Sequence, residues 1–118
     1  VIGTEIEPSK HERACANIVA ANLEAHAEVR LGDALETLRE LPGPVDLVLL
    51  DGWKDLYLPL IQQLRPHLRP GAVVLGDNIF TFRKSLQPYV DYMQSEANGF
   101  VSTTLRISDG FEYSVYVG

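Results

Sequence analysis

The chain has 118 residues, of which 46% are hydrophobic and 22% are charged, as is typical of one globular domain with a hydrophobic core. Its net charge of −6 and scattered basic residues argue against nucleic-acid binding, because phosphate recognition requires clustered Lys and Arg. The single cysteine excludes an internal disulfide and a cysteine-based zinc site. No apolar run reaches the roughly 20 residues of a membrane span and no secretory signal is visible, so we expect a cytoplasmic protein without membrane partners.

The first half of the chain predicts two strand–helix units. VIGTE (1–5) has the pattern of a strand already in progress and begins with Val rather than Met, so we expect a piece of a longer polypeptide. A helix is predicted from Pro8, a residue suited to a first helical turn, through about Leu23, because apolar residues recur at helical spacing. AEVRL (27–31) predicts a second strand, and LETLREL (35–41) predicts a short amphipathic helix.

The middle of the chain predicts two buried strands around a helix. VDLVLL (45–50) is nearly all apolar, as expected of a strand that is covered on both faces. The helix that follows runs through Leu64, with Pro59 tolerable only in its first turn. RPG (69–71) should end that helix, and AVVLG (72–76) predicts the next buried strand.

The last third predicts a helix and a hairpin. Residues 84–97 have a helical pattern, and VSTTLRI (101–107) and FEYSVYV (111–117) flank an Asp-Gly turn signal. Successive β–α units that end in an antiparallel hairpin predict a single α/β domain over residues 1–118. Its sheet should be mainly parallel and doubly wound, with helices on both faces.

Acidic or amide side chains follow four of the predicted strands: Glu5, Asp33, Asp51, Asp77 and Asn78. Open parallel sheets bind ligands beyond the carboxyl ends of their strands, and neighbouring strands lie about 4.8 Å apart. Side chains at the ends of two adjacent strands could therefore share one small ligand.

Asp51, Asp77 and Asn78 form a candidate metal site. Two carboxylates and an amide carbonyl are hard oxygen donors, which suit Mg²⁺, Mn²⁺ or Ca²⁺. The alternative interpretation is that Asp51 and Asp77 only cap loops or the helices that follow, as acidic residues at strand ends commonly do.

Glu5 is a candidate nucleoside ligand, because a carboxylate at a strand end can accept both hydroxyls of a ribose. Asp33 and Ala34, after the next strand, would then lie near an adenine ring. The alternative is that Glu5 is a solvated carboxylate near a helix N-terminus.

Lys54 and Trp53 lie just after Asp51. Beside a cation, Lys54 could act as a general base, although a lysine in such a place is more often a solvated surface residue. Trp53 could border an aromatic substrate or cofactor, or could simply pack.

Taken together, these residues resemble a known family. The stretch VDLVLLDGWKDLYLPLIQQLRPHLRPGAVVLGDNI (45–79) resembles the central segment of the metal-dependent, S-adenosylmethionine-dependent O-methyltransferases. Within that group the likeness is to catechol O-methyltransferases, through LLDGWKDLYLP and GDN. VIGTEIEP (1–8) resembles the family's ribose-binding strand, and SDGFEYSVYV (108–117) resembles its C-terminal hairpin.

The resemblance implies a Rossmann-like class I methyltransferase sheet and methyl transfer from S-adenosyl-L-methionine to a hydroxyl of a small substrate, an aromatic or natural-product vicinal diol. It implies that Asp51, Asp77 and Asn78 bind a divalent cation, with Mg²⁺ ahead of Mn²⁺ and Ca²⁺. Lys54 would take the hydroxyl proton, with Asp51 also in the catalytic centre. The cofactor contacts carried over from the resemblance are Glu5, Asp33, Ala34, Asp51 and Trp53. The family likeness also suggests a homodimer.

Three features depart from the family pattern. Gly52 stands where the catechol enzymes have a histidine, and no acid stands near Thr103, where those enzymes have one that orients the second hydroxyl. The glycine-rich loop after the family's first strand has no counterpart in the 118 residues. We therefore expect the family's central first strand to be missing from this chain, which would leave unpaired strand edges. Either the 118 residues are part of a longer protein, or another chain supplies the strand, or the flanking strands pair directly across the gap.

Other functions are consistent with the same residues. The first is a methyltransferase of this fold that acts without a metal. The second is a non-catalytic nucleoside-binding or oligomerisation module. A nicotinamide dehydrogenase would explain Glu5 but would not explain Lys54 or the Asp77–Asn78 pair.

Overall fold

The computed structural model describes residues 1–118, which divide into two compact units, Val1–Glu40 and Leu41–Gly118. The first unit contains β1 (Ile2–Glu5), α1 (Pro8–Ala20), β2 (Glu28–Leu31) and α2 (Ala34–Thr37). The second contains β3 (Val45–Leu50), α3 (Tyr57–Leu64), β4 (Leu68–Gly76), α4 (Arg83–Gln94), β5 (Phe100–Leu105) and β6 (Phe111–Tyr116). Short 3-10 turns cover Lys54–Leu56, Arg65–His67 and Glu96–Asn98. None of the helices is both long enough and apolar enough to cross a bilayer.

In the first unit, β1 and β2 pair in parallel, with Glu5 opposite Leu31. Helix α1 begins at Pro8 as predicted, because proline's fixed φ suits a first helical position and its missing N–H would have no partner there. Helix α2 is much shorter than the predicted 35–41. The guanidinium of Arg30 donates at 2.7 Å to the carbonyl oxygens of both Thr37 and Glu40, which holds the segment after α2 against β2 instead.

In the second unit, four strands form one sheet in the order β3-β4-β6-β5. The β3–β4 pair is parallel, whereas β4–β6 and β5–β6 are antiparallel. This confirms the α/β class and the C-terminal hairpin. β1 has only β2 as a hydrogen-bonded neighbour and β3 has only β4, so the strands form two separate sheets.

Strand β4 begins earlier than predicted, before the RPG sequence rather than after it. Val45 lies opposite Leu68, but Leu47 lies opposite Val73, so the register shifts across the Pro-Gly segment. Proline has no N–H to offer the ladder, and Gly71 has a φ of +90°, a value that residues with a Cβ rarely adopt. The predicted break at RPG is thus an irregularity inside a strand.

The core of the second unit lies between one face of the sheet and the two helices. The helices contribute the buried side chains Tyr57, Leu60, Ile61, Leu64, Leu86, Tyr89 and Met93. They pack on a sheet face that includes the buried Val48, Leu50 and Val74. Tyr89 lies directly over Gly76, where an added Cβ would be 2.7 Å from the ring.

The opposite sheet face is apolar and exposed. Leu47, Leu49 and Val101 are 62%, 63% and 62% exposed, although all three lie in strands. The expectation that β3 is covered on both faces, with helices on each side, is therefore wrong for this unit. The face under the helices instead includes two polar residues of β6 that are fully buried, Glu112 and Ser114.

Candidate active site

The carboxyl ends of β3 and β4 bring two of the predicted ligands together. The backbone N–H of Asp77 donates to the Leu50 carbonyl at 2.9 Å, which extends the β3–β4 pairing past Gly76. The next residue, Asn78, has a φ of +65°, a left-handed conformation that asparagine tolerates better than most residues. Its Nδ2 donates to Oδ1 of Asp51 at 3.0 Å. The two strand ends therefore converge, as the sequence predicted.

Asp77 is placed differently. Its Oδ1 accepts a hydrogen bond from the backbone N–H of Asn78 at 2.7 Å, so it makes the loop-capping contact of the alternative interpretation. The charge of Asp77 and the charge of Asp51 nevertheless both act on the Tyr57 hydroxyl. Burial raises the pKa of the Tyr57 hydroxyl, and the charges of Asp51 and Asp77 raise it further, while a hydrogen bond with Asn78 opposes them. Two negative charges are thus concentrated at this edge of the sheet.

The Lys54 amine contacts Tyr57, the residue on which both charges act. Its Nζ donates to the Gly52 carbonyl at 2.8 Å and to the Tyr57 hydroxyl at 3.2 Å. It also lies 5.1 Å from the ring centroid of Tyr57 and 5.2 Å from that of Phe82, within cation–π range. Lys54 is therefore held in place and does not match the solvated surface lysine of the alternative interpretation.

Phe82 borders Lys54, and Trp53 precedes Lys54 in the chain. Trp53 is 67% exposed and is not a packing residue of the core. Phe82 is also exposed. Sequence reasoning missed Tyr57 and Phe82 as site residues. Tyr57 could have been found, since it lies three residues after Lys54 at helical spacing, but the position of Phe82 depends on the loop after β4.

The predicted nucleoside ligands lie in the first unit, at the ends of its two parallel strands. The backbone N–H of Glu7 donates to Oε1 of Glu5 at 3.0 Å, which orients that carboxylate. Oδ1 of Asp33 accepts from the Leu35 N–H at 2.9 Å, so Asp33 is the N-cap of α2, and Ala34 is the first residue of that helix.

No group of three or more His, Cys, Asp or Glu side chains is arranged to bind a metal ion. A cation at the second unit's site would depend on two carboxylates and the Asn78 amide. The nitrogen of that amide points toward Asp51, so the amide would have to rotate to present its oxygen to a cation. The donor chemistry suits a hard cation, and rotation of a terminal amide is inexpensive.

Known structures identify the fold. Rv0187 from MTB, solved with its cofactor bound, superposes with a TM-score of 0.89 at 28% identity, over 98% of this chain and 61% of that one. An O-methyltransferase from Bacillus cereus, solved in complex with SAH, superposes with a TM-score of 0.88 at 24% identity, over 98% of this chain and 62% of that one. The fold is therefore that of the Rossmann-like class I O-methyltransferases, as expected from the sequence.

Sequence relatives identify the family. Residues 1–79 match the family described as "Methyltransferase domain", and the chain belongs to that family. The catechol O-methyltransferase of Mycobacterium tuberculosis is 38% identical over 80 residues, which are 67% of this chain and 36% of the relative. That of Niastella koreensis is 30% identical over 90 residues, 73% of this chain and 41% of the relative. The catechol O-methyltransferase resemblance is confirmed, and the chain spans well under half the length of these relatives.

Proposed function

We propose that this chain forms part of an S-adenosylmethionine-dependent O-methyltransferase that methylates a hydroxyl of a small aromatic or natural-product diol. The observation that carries this proposal is the convergence of Asp51, Asn78 and Lys54 at the ends of β3 and β4. Asp51 and Asn78 are in hydrogen-bond contact, and Lys54 is tethered to Gly52, the residue after Asp51. The similarity to two catechol O-methyltransferases and the match to the methyltransferase family support methyl transfer as the reaction class.

Lys54 is the proposed base. As a neutral amine it accepts the proton of the acceptor hydroxyl while the acceptor oxygen takes the methyl group. S-adenosylmethionine supplies that methyl from a sulfonium centre when bound. Its adenosine would be held by Glu5, Asp33 and Ala34, each at or just beyond a strand end of the first unit. Trp53 is exposed and free to border either the cofactor or the acceptor.

Asp51, Asp77 and Asn78 are the proposed cation ligands, with Mg²⁺ favoured because all three offer hard oxygen atoms. A divalent cation bound there would acidify an acceptor hydroxyl and hold it in place. The negative charge that already raises the pKa of Tyr57 favours such a cation.

A second candidate is a methyltransferase of the same fold that needs no metal. The contact that favours it is the hydrogen bond between the Asp77 carboxylate and the Asn78 N–H, which engages that carboxylate in the loop. In this case Asp77 has an architectural role. Asp77→Ala would then lower stability while leaving turnover per folded molecule unchanged.

The test is methyl transfer by the full-length protein to a panel of catechol-like acceptors, with and without excess chelator. We expect chelation to abolish transfer and added Mg²⁺ to restore it. Asp51→Ala should lower kcat/KM by roughly 100-fold or more, because metal-assisted stabilisation is worth several kcal/mol. Asp55→Ala is the matched control, an exposed carboxylate in the same turn. Full activity in chelator would establish the metal-independent candidate, and no transfer to any acceptor would contradict both.

A further inference from the structure

We propose that Tyr57 is a positioning residue for Lys54. Its hydroxyl and the Gly52 carbonyl form a pair of fixed acceptors, and together they set the direction in which the Lys54 amine presents its remaining position. This inference rests on the proposed function for the identity of the base. The tether itself is a property of the chain and can be measured without the reaction.

The direction of each hydrogen bond follows from counting hydrogens. The Tyr57 hydroxyl has one hydrogen. Its oxygen lies 3.0 Å from the backbone carbonyl oxygen of Asp77, which can only accept a hydrogen bond. That hydrogen is therefore committed to Asp77. The Tyr57 oxygen can then meet Lys54 Nζ, at 3.2 Å, only as an acceptor.

Tyr57 is suited to this role because it cannot move easily. The residue is 1% exposed, and its ring packs edge-on against Tyr89, with centroids 5.5 Å apart and an interplanar angle of 88°. The other acceptor, the Gly52 carbonyl, belongs to the backbone two residues after β3. A long, flexible lysine side chain is thus attached at its tip to a buried tyrosine and to the backbone that follows β3.

The consequence for Lys54 is geometric. A neutral amine has two hydrogens and one lone pair in a tetrahedral arrangement. When Gly52 and Tyr57 each accept one hydrogen, the lone pair has one remaining direction. The Phe82 ring, 5.2 Å from Nζ, limits the space on another side. Without the Tyr57 acceptor the amine could rotate, and the lone pair would sample directions in which it cannot take the substrate proton.

The chain allows a direct measurement, because it contains only three lysines, and Lys10 and Lys84 are exposed. Nuclear magnetic resonance of isotope-labelled side-chain amines reports how ordered each Nζ group is. We expect the Lys54 order parameter to exceed those of Lys10 and Lys84 by roughly twofold. In Tyr57→Phe it should fall to their level, with the backbone spectrum otherwise retained.

Tyr89→Phe is the matched control. It removes the hydroxyl of a second buried tyrosine in the same cluster, and that hydroxyl has no hydrogen-bond partner. We expect this variant to leave Lys54 ordered. In the full-length protein, Tyr57→Phe should lower kcat about tenfold, the equivalent of one hydrogen bond, with KM changed less than about twofold.

The outcomes separate the two proposals. If Lys54 is as ordered in Tyr57→Phe as in the unmodified chain, the positioning role is wrong, even if the variant is less stable. Unchanged kcat in a protein that does transfer methyl groups would also overturn it. If Lys54 loses its order in Tyr57→Phe but the unmodified full-length protein methylates nothing, the tether stands and the proposed function fails.

Discussion

Replacing Glu112 tests the least expected part of the core. Glu112 lies on β6 and is 0% exposed, beneath α4. Its carboxyl group accepts hydrogen bonds from the hydroxyls of Ser102 and Thr104 and from Nε2 of Gln94, the last at 3.0 Å. One side chain therefore joins β5, β6 and the C-terminal end of α4, so its removal should loosen all three.

The expected cost of Glu112→Leu follows from the donors that it leaves behind. The Ser102 hydroxyl has other acceptors, the Ser114 hydroxyl at 2.6 Å and the Tyr113 carbonyl at 3.3 Å. The Gln94 amide is exposed to water and keeps the Thr104 hydroxyl as an acceptor at 3.3 Å. The half-buried Thr104 hydroxyl loses its acceptor, at about 1–3 kcal/mol for a donor left unsatisfied. The added apolar burial of leucine offsets roughly 1–2 kcal/mol. The free energy of unfolding should therefore fall by about 1 kcal/mol.

Urea unfolding followed by circular dichroism measures this change. Glu112→Gln is the matched variant, because it keeps the volume and one acceptor oxygen and should cost less than about half as much as Glu112→Leu. A Leu variant that is as stable as the unmodified chain would refute the reasoning, since it would mean that the network does not hold the hairpin to α4.

Two further measurements test other consequences of the structure. Burial raises the pKa of Tyr57 and of Tyr89 above the ordinary value near 10. Just above pH 10, only the unfolded chain therefore loses these two protons. The free energy of unfolding should fall as pH rises beyond about 10. In urea titrations between about pH 8 and 11, Tyr89→Phe should reduce the slope of the free energy of unfolding against pH by up to about 1.4 kcal/mol per pH unit. The same slope in the variant and the unmodified chain would contradict this prediction. In the family that this chain resembles, the glycine-rich loop is expected to hold the cofactor's methionine end, and the 118 residues contain no such loop. Calorimetry should therefore find the S-adenosylmethionine affinity of this chain weaker than about 1 μM. Binding at or below that value would show that the loop is dispensable.

Local sequence predicts the strands and helices well where their boundaries are chemically marked. VDLVLL gives β3 with both ends correct, because Pro44 precedes it and Asp51 follows it. Alternation in FEYSVYV also shows which residues share a face. It does not show which face the helices cover, and here they cover the face of Glu112 while Tyr113 is exposed. Local sequence also does not predict side-chain contacts between residues that are distant in the chain. The hydrogen bonds of Arg30 to the segment after α2, where a longer helix was predicted, are an example.

Only part of the candidate site could be predicted from the sequence, because local patterns do not show contacts between distant residues. Asp51 and Asn78 follow from a general rule, that adjacent parallel strands bring their carboxyl ends to one edge. The tether of Lys54 does not, because it requires knowing that the first turn of α3 returns Tyr57 to the backbone of Asp77. One series of hydrogen bonds now runs from Gly52 through Lys54 and Tyr57 to Asp77, whose N–H is bonded to the end of β3. Asp77 is held by the β3–β4 pair and Tyr57 by the core, so the proposed base and cation ligands should keep their relative positions as long as that pairing and that packing are intact.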